Sequence, residues 1–165
     1  MTMTPADFIT TIAPVAQSGF AASGIWPSFV IVQAIFESSW GGSELTQQAN
    51  NLFGIKADSG WTGATFSMPT GEDVLVDPTN PASGYKKIIV QANWRSYPDW
   101  LSSIQDHANF LRTNQRYAAA FQTTNVNDFI QAIAAAGYST NPNYATMLTD
   151  EISARNLTQY DTVTS

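Results

Sequence analysis

The sequence predicts a mainly helical α+β fold in which one small β lobe interrupts a series of helices. Three observations lead to this prediction. The 165 residues suit a single domain, 1–165, that is large enough to bury its own core. Apolar residues recur at helical spacing in the parts of the chain on either side of the middle section. In the middle section, at about 52–97, Gly, Pro, Thr and β-branched residues become frequent, which indicates strands and turns.

Two main helices are predicted on the N-terminal side of the β lobe. The first begins at Pro5 with Thr4 as its N-cap, and we expect it to fray before Gly19. The second covers about 27–40 and is apolar nearly all round, which is typical of a buried central helix. Residues 43–49 are expected to add a short helical turn.

The middle and C-terminal sections alternate between strand and helix signals. A hairpin is predicted at 61–76, a loop at 77–84 and a strand at 87–91. From Thr158 onward we expect a frayed tail. The spacing of apolar residues places the remaining helices at 98–113, 116–121, 126–136 and 142–156.

Composition and charge exclude several classes of function. The net charge is −6 and there is no basic run, so binding to nucleic acid or to an anionic membrane surface is not expected. The chain has no cysteine and one histidine, which excludes disulfides, thiolate metal sites and histidine-pair metal sites. We therefore expect neither a metal nor a cofactor, and catalysis must depend on carboxylates. We also expect a monomer.

The uncharged stretch 8–36 is not expected to be a signal peptide or a membrane span. Asp7 precedes it at a place where a signal peptide carries basic residues, and prolines and glycines interrupt it. The chain shows no export signal of its own. We therefore expect delivery by a phage, another export route, or excision from a longer protein.

Glu37 is the strongest catalytic candidate among the four glutamates of the chain. It lies near the end of the most apolar helix, directly after Phe36 and three residues before Trp40. Aromatic neighbours remove water from a carboxyl group, which raises its pKa and keeps it protonated near neutral pH. Cleavage of a glycosidic bond needs such an acid, because the leaving oxygen must receive a proton. The alternative is a structural glutamate that caps the helix or pairs with a surface arginine.

Short motifs follow one another from about residue 25 to residue 157. The first is the helix end 33–41, which carries Glu37. The others are Asn51-Leu52-Phe53-Gly54-Ile55-Lys56, Gly60-Trp61-Thr62-Gly63, Trp94-Arg95-Ser96-Tyr97, Ser103-Ile104-Gln105-Asp106-His107, Arg116-Tyr117-Ala118 and the segment 136–145. In this order and spacing the motifs resemble the glucosaminidase family of peptidoglycan hydrolases, glycoside hydrolase family 73. That family includes the muralytic domain of flagellar rod-assembly proteins, bacterial autolysins and phage lysins.

The resemblance implies a lysozyme-like fold, with a helical lobe and a small β-hairpin lobe on either side of a substrate cleft. It implies an endo-β-N-acetylglucosaminidase that cleaves the β-1,4 bond after N-acetylglucosamine in peptidoglycan, with Glu37 as the general acid. Its partner would be a glycan strand of the cell wall, on the periplasmic or extracellular side. Two alternatives stay open: a muramidase or lytic transglycosylase acting on the same polymer, and a module that binds glycan without cutting it.

The resemblance also places a second carboxylate in the β lobe, eleven residues after Trp61, which is Glu72. Glu72 is expected at a hairpin tip or in a mobile loop, where it would activate the attacking water of an inverting mechanism. Asp73 competes for the same role. In a third possibility the acetamido group of the substrate is the nucleophile and Glu72 only assists. The alternative without function is an ordinary solvated turn residue.

Further polar side chains complete the predicted site. The resemblance places Tyr138 opposite the acid, where its hydroxyl would bind the acetamido group or stabilise developing positive charge, with a place in the core as the alternative. Tyr144 is a candidate for substrate contact, with a place in the core as the alternative. Asn51 is a candidate for a hydrogen bond to substrate, with fixing the turn between the lobes as the alternative.

Aromatic rings are candidate platforms on which sugars stack. Trp61, Tyr117 and Trp40 are such candidates, with Trp61 the strongest, although a single aromatic residue is more often part of the core. His107 is expected to be a structural helix residue with a local hydrogen bond. The acidic pair 150–151 is expected to form a solvated helix face.

Overall fold

A computed structural model describes residues 3–162 and shows a mainly helical chain with one two-stranded antiparallel sheet, so the predicted fold class is confirmed. None of the helices in these residues combines the length and the hydrophobicity that a membrane span requires. The elements are α1 (Pro5–Ser23), α2 (Pro27–Ser38), α3 (Glu44–Ala49), β1 (Thr65–Leu75), β2 (Tyr85–Arg95), α4 (Trp100–Thr113), α5 (Val126–Ala135), α6 (Tyr144–Ala154) and 3-10 helices at Pro81–Ser83, Gln115–Gln122 and Leu157–Tyr160.

Helix α2 is the centre of the helical lobe. Every side chain from Pro27 to Ile35 is buried, which confirms the predicted central helix. Helices α1 and α6 and the 3-10 turn Leu157–Tyr160 pack around it. The helix ends at Ser38, because the next two residues, Ser39 and Trp40, adopt left-handed backbone conformations with φ of 51° and 59°.

Helix α1 is longer than predicted. It continues through Gly19 to Ser23, so the expected fraying is wrong. Gly24 ends the helix with φ of 69°, and its N–H donates to the Phe20 carbonyl (2.8 Å). One glycine inside a helix costs only about 1 kcal/mol, and the packing of α1 against α2 and α4 outweighs this cost. Arg112 of α4 also donates to the Ser23 carbonyl (2.7 Å), which stabilises the last turn.

The β lobe is one long hairpin. Strand pairing is continuous along β1 and β2, and residues 76–84 connect them. The separate hairpin predicted at 61–76 is therefore wrong, because most of this segment is β1; the strand predicted at 87–91 is confirmed as part of β2. Pro69 and Gly71 are unusual residues for the interior of a strand. Both strands are edge strands, however, and an edge strand tolerates a proline without losing the ladder of hydrogen bonds.

The helices predicted after the β lobe are confirmed, the short second one as a 3-10 helix.

The predicted frayed tail is wrong for most of its length. Residues 158–160 belong to the 3-10 helix Leu157–Tyr160, and the Asp161 carboxylate accepts hydrogen bonds from the backbone N–H and the hydroxyl of Ser28 (2.8 and 2.7 Å). The rest of the predicted tail, 163–165, lies outside the described residues.

Candidate active site

Glu37 lies in the wall of the cleft between the helical lobe and the β lobe. Its side chain belongs to the last turn of α2 and faces a volume of about 470 Å³. Burial raises the pKa of Glu37 above its ordinary value, although the residue stays open to water on the cleft side. The cleft is lined by Glu37, Phe53, Gly54, Ile55, Lys56, Asp58, Arg95, Phe110, Arg116, Tyr117 and Tyr138.

The aromatic residues around Glu37 are not its neighbours in the sequence. Phe36 and Trp40 line a separate pocket together with Arg155. The guanidinium carbon of Arg155 lies 4.5 Å from the Trp40 ring centre. Trp40 is therefore not a sugar platform of the Glu37 cleft. The pKa of Glu37 is raised, as the sequence predicts, but the cause is burial by residues distant in the sequence and not by Phe36 and Trp40. The rings in this cleft belong to Phe53, Phe110, Tyr117 and Tyr138.

Tyr138 lies in the same cleft as Glu37. It follows Gly137, whose φ of 76° turns the chain after α5, and its ring stacks on Tyr144 with 5.7 Å between centres and 22° between planes. Burial raises the pKa of Tyr138, and the neighbouring Tyr144 and Glu37 raise it further, which reflects how close the tyrosine is to the acid. Tyr144 is only 8% exposed and its hydroxyl is bonded to the Gln33 amide, so the predicted substrate contact is wrong and Tyr144 belongs to the core.

Glu72 lies within strand β1, so its predicted place at a hairpin tip or in a mobile loop is wrong. It forms an ion pair with Lys56, which lines the cleft and whose Nζ lies 5.4 Å from the Trp94 ring centre. Glu72 itself is not part of the cleft lining. Asp73 is exposed on the opposite face, across from Lys87, because neighbouring side chains of a strand alternate. The two carboxylates therefore cannot serve the same position.

Trp61 lines a neighbouring pocket and not the Glu37 cleft. Arg95 stands between the two, because it lines the cleft while its guanidinium carbon lies 4.6 Å from the Trp61 ring centre. The indole N–H donates to the Ala64 carbonyl (2.9 Å). Trp61 is consequently a candidate only for a sugar that binds beyond Arg95.

Asn51 and Tyr117 shape the cleft from within the protein. Asn51 is 1% exposed; its Nδ2 donates to the carbonyls of Ile55 (2.9 Å) and Arg95 (2.8 Å), and its Oδ1 accepts from the Ile55 N–H (3.1 Å). It fixes the turn between the lobes, so the predicted substrate contact is wrong. Tyr117 is also 1% exposed, and the guanidinium of Arg116 lies 4.7 Å from its ring centre. Its predicted role in stacking is wrong because no ring face is free.

His107 is buried in α4 and has a long-range partner. It is 1% exposed and stacks on Phe53 with 3.9 Å between ring centres. Burial lowers its pKa to about 3. Its Nε2 lies 3.4 Å from the Tyr138 hydroxyl, so the expected local hydrogen bond is wrong while the expected structural place in a helix is confirmed.

Charged side chains to which the sequence assigned no role complete the cleft. Lys56, Arg95 and Arg116 line it together with Asp58. Arg95 pairs with Asp58 (2.9 Å) and with Asp106 of α4 (2.8 Å), which ties the β lobe to the helical lobe. The three cations lie inside the recognised motifs, but a motif does not tell which surface its charges occupy. Asp58 stands in a short turn that carries no functional signal of its own.

The remaining acidic groups lie outside the cleft. In the pair 150–151, the aspartate is exposed, as expected of a solvated face. The glutamate is half-buried and forms an ion pair with Arg155, so the expectation is wrong for it. Among residues 3–162, no group of three or more His, Cys, Asp or Glu side chains is placed to hold a metal ion. The acidic residues of the cleft lining are Glu37 and Asp58.

Known proteins are similar to this chain in sequence and in fold. A family model described as glucosaminidase, mannosyl-glycoprotein endo-beta-N-acetylglucosaminidase, matches residues 13–157. An autolysin of Enterococcus faecalis is 35% identical, over 99% of this chain and 22% of the autolysin. The peptidoglycan hydrolase FlgJ of Pseudomonas aeruginosa is 35% identical, over 84% of this chain and 34% of that protein. The solved catalytic domain of the autolysin Auto from Listeria monocytogenes has a TM-score of 0.81 and 32% identity, over 98% of this chain and 91% of that domain.

The helical lobe, the hairpin lobe and the acid-bearing cleft define a lysozyme-like domain of the glycoside hydrolase class. The chain belongs to the glucosaminidase family, because the family model covers most of its length. The family and the fold expected from the motifs are therefore confirmed. The chain spans only 22% and 34% of the length of the two relatives from Enterococcus faecalis and Pseudomonas aeruginosa.

Proposed function

We propose that this chain hydrolyses the glycan strands of peptidoglycan at the β-1,4 bond after N-acetylglucosamine, with Glu37 as the general acid. One observation carries the proposal: Glu37 lies in the cleft between the lobes, and burial there raises its pKa. An acid that keeps its proton near neutral pH is what the leaving oxygen of a glycosidic bond requires. Membership of the glucosaminidase family supports the choice of bond.

Tyr138 is the proposed partner of the acid. Both residues line the same cleft, and Tyr138 is near enough for the charge of Glu37 to raise its pKa, after the larger effect of burial. A hydroxyl in this place can donate to the acetamido group, or its oxygen can stabilise positive charge that develops on the sugar ring. The cations of the cleft suit the carboxylates that a peptidoglycan strand carries.

Glu72 is the proposed second carboxylate. Lys56 connects it to the cleft, because the lysine lines the cleft and pairs with Glu72. As a general base, Glu72 would activate water on the far face of the sugar, which needs a separation of roughly 6.5–9.5 Å between the carboxyl groups. If the acetamido group of the substrate is the nucleophile, Glu72 would only orient that group.

The proposed place of action is the cell wall. Peptidoglycan lies outside the cytoplasmic membrane, so the substrate is met on the periplasmic or extracellular side. The partner is the glycan strand itself. We propose a monomeric active form, since residues of one chain line the cleft around Glu37.

Clearing of a peptidoglycan suspension by a Glu37→Gln variant tests the proposal. The amide keeps the size of the side chain but cannot act as the acid, so we expect the rate to fall by at least about 100-fold. Glu44→Gln is the matched control: it makes the same change at an exposed glutamate at the start of α3, and its rate should stay within about twofold of the unmutated chain. A Glu37→Gln variant that clears the suspension at the unmutated rate would contradict the assignment.

Mass spectrometry of the products separates the possible reactions. New reducing ends at N-acetylglucosamine support the proposal. Reducing ends at N-acetylmuramic acid would identify a muramidase, and anhydro-muropeptides would identify a lytic transglycosylase. Binding to peptidoglycan without any new ends would identify a glycan-binding module.

A further inference from the structure

His107 is a buried titratable residue for which the proposed reaction has no role. It lies in α4 and is 1% exposed. Its ring stacks on Phe53, a lining residue of the cleft, with 10° between the ring planes. Its Nε2 lies 3.4 Å from the hydroxyl oxygen of Tyr138. His107 therefore connects α4 to a wall of the cleft and to the tyrosine beside Glu37.

The surroundings of His107 select one protonation form of the ring. Burial lowers the pKa to about 3, so the ring is neutral and carries a single N–H. Nδ1 is buried and has no hydrogen-bond partner within the described residues. Buried N–H groups without a partner are rarer in folded proteins than buried acceptors without one. The hydrogen therefore belongs on Nε2, where the oxygen of Tyr138 can accept it.

We propose that His107 positions Tyr138: it donates Nε2–H to the hydroxyl oxygen and leaves the tyrosine O–H free to donate into the Glu37 cleft. A hydroxyl that accepts one hydrogen bond becomes a stronger donor in the next. The side-chain amide of Gln33 acts on Tyr138 in the same sense, because as a hydrogen-bond donor it lowers the pKa of the tyrosine against the larger effect of burial. A second donor to the hydroxyl oxygen likewise leaves the O–H free for the cleft. His107 is a positioning residue, because it acts on the sugar only through Tyr138.

Nitrogen-15 NMR of the imidazole tests the proposed tautomer directly. The chain has one histidine, so its spectrum contains a single imidazole system. We expect a protonated Nε2 and an unprotonated Nδ1, unchanged between about pH 5 and pH 8, the range in which an ordinary histidine changes its charge. A protonated Nδ1, or a ring that gains a second proton in this range, would overturn the inference. This measurement needs no catalytic activity.

A double-mutant cycle tests whether the histidine acts through the tyrosine, and this step rests on the proposed function. His107→Phe keeps an aromatic ring but removes both nitrogens. We expect His107→Phe and Tyr138→Phe each to lower kcat by about tenfold, and the double variant to lie within about twofold of Tyr138→Phe. His107→Gln retains an N–H donor and should recover part of the loss. Losses that multiply in the double variant would overturn the inference.

Ile104→Val is the matched control for stability. It shortens another buried side chain of α4, so it should lower the melting temperature without lowering kcat. If His107→Phe does not fold, the tautomer of the unmutated chain still decides. If Glu37→Gln retains activity, the proposed function fails while the tautomer result stands. If Glu37→Gln is inactive and the cycle is multiplicative, only the inference about His107 fails.

Discussion

Glu37 must hold a proton in a place where burial disfavours the charged form of its side chain. Burial raises its folded-state pKa above the ordinary value of 4.5. The folded chain therefore binds this proton more tightly than the unfolded chain does. The resulting contribution to stability is fully present below about pH 4.5, the unfolded value, and is lost as the pH rises through the raised pKa. The same titration removes the acid that the proposed reaction needs.

Replacing Glu37 by glutamine should therefore stabilise the fold at neutral pH. The amide is close in size to the acid and never ionises. Glu37→Gln therefore removes the free-energy cost that burial imposes at pH 7, whether the folded carboxyl group is charged or takes up a proton. We expect a melting temperature higher than that of the unmutated chain at pH 7, by roughly 1–3 °C, and a difference that closes below about pH 4.5. Thermal unfolding followed by circular dichroism at both pH values checks this. Glu44→Gln corrects for the effect of the substitution on the unfolded chain, and an equal gain at both pH values would contradict the account.

Single residues were predictable where the chemistry of the residue type decides the outcome. Glu37 was found from the sequence because a carboxyl group on an apolar helix is unusual and its pKa must rise. For Tyr144 and Asn51 the sequence left a structural role open as the alternative to substrate contact, and the structural role is the one found; the stacking role predicted for Tyr117 is wrong. Their roles depend on which way each side chain points after the lobes have packed. The sequence alone does not show whether such a side chain points into the cleft or into the core.

Strand β1 decides between the two acidic candidates of the β lobe. Side chains alternate along a strand, so Glu72 and Asp73 point to opposite faces. Glu72 is half-buried and paired with Lys56, whereas Asp73 is exposed across from Lys87. The alternation of side chains along β1 therefore distinguishes Glu72 from Asp73, since both carry the same carboxyl group.

Matched amide substitutions on β1 test this distinction. We expect Glu72→Gln to lower kcat by about 100-fold with little change in binding, and Asp73→Asn to stay within about twofold of the unmutated chain. Steady-state kinetics on soluble peptidoglycan fragments, together with a binding assay, measure both. Equal losses in the two variants would contradict the assignment by strand face. An unchanged kcat in Glu72→Gln would transfer the role to the acetamido group of the substrate.

Helices were more predictable than the hairpin for a physical reason. An amphipathic or buried helix is specified by residues three and four apart, which the sequence shows directly. The end of α1 and the extent of β1 depend instead on distant partners. Arg112 of α4 supports the last turn of α1, and β2 pairs with β1 across the loop 76–84. Local signals at Gly19 and Pro69 were overruled by these contacts.

The whole chain is acidic, whereas the lining of its cleft is not. The net charge is −6, but three cations, Lys56, Arg95 and Arg116, line the cleft with the acids Glu37 and Asp58. We therefore expect a glycan strand that carries carboxylates, the substrate proposed above, to be repelled by the chain as a whole and attracted locally by the cleft. The repulsion is the sum of many distant charges, whereas the attraction comes from a few charges at short distance.

Moderate salt should therefore not inhibit the proposed reaction. At 0.1 M ionic strength the Debye length is about 10 Å, so repulsion between distant exposed charges is largely screened while close pairs in a partly enclosed cleft are screened less. We expect kcat/KM for clearing of peptidoglycan to stay constant or to rise by up to about threefold between low salt and roughly 0.2 M sodium chloride. Asp150→Lys, on the exposed surface of α6, reduces the net negative charge away from the cleft and should flatten any rise. A steep fall with salt in the unmutated chain would show that attraction at Lys56, Arg95 and Arg116 controls the encounter, and would contradict the prediction.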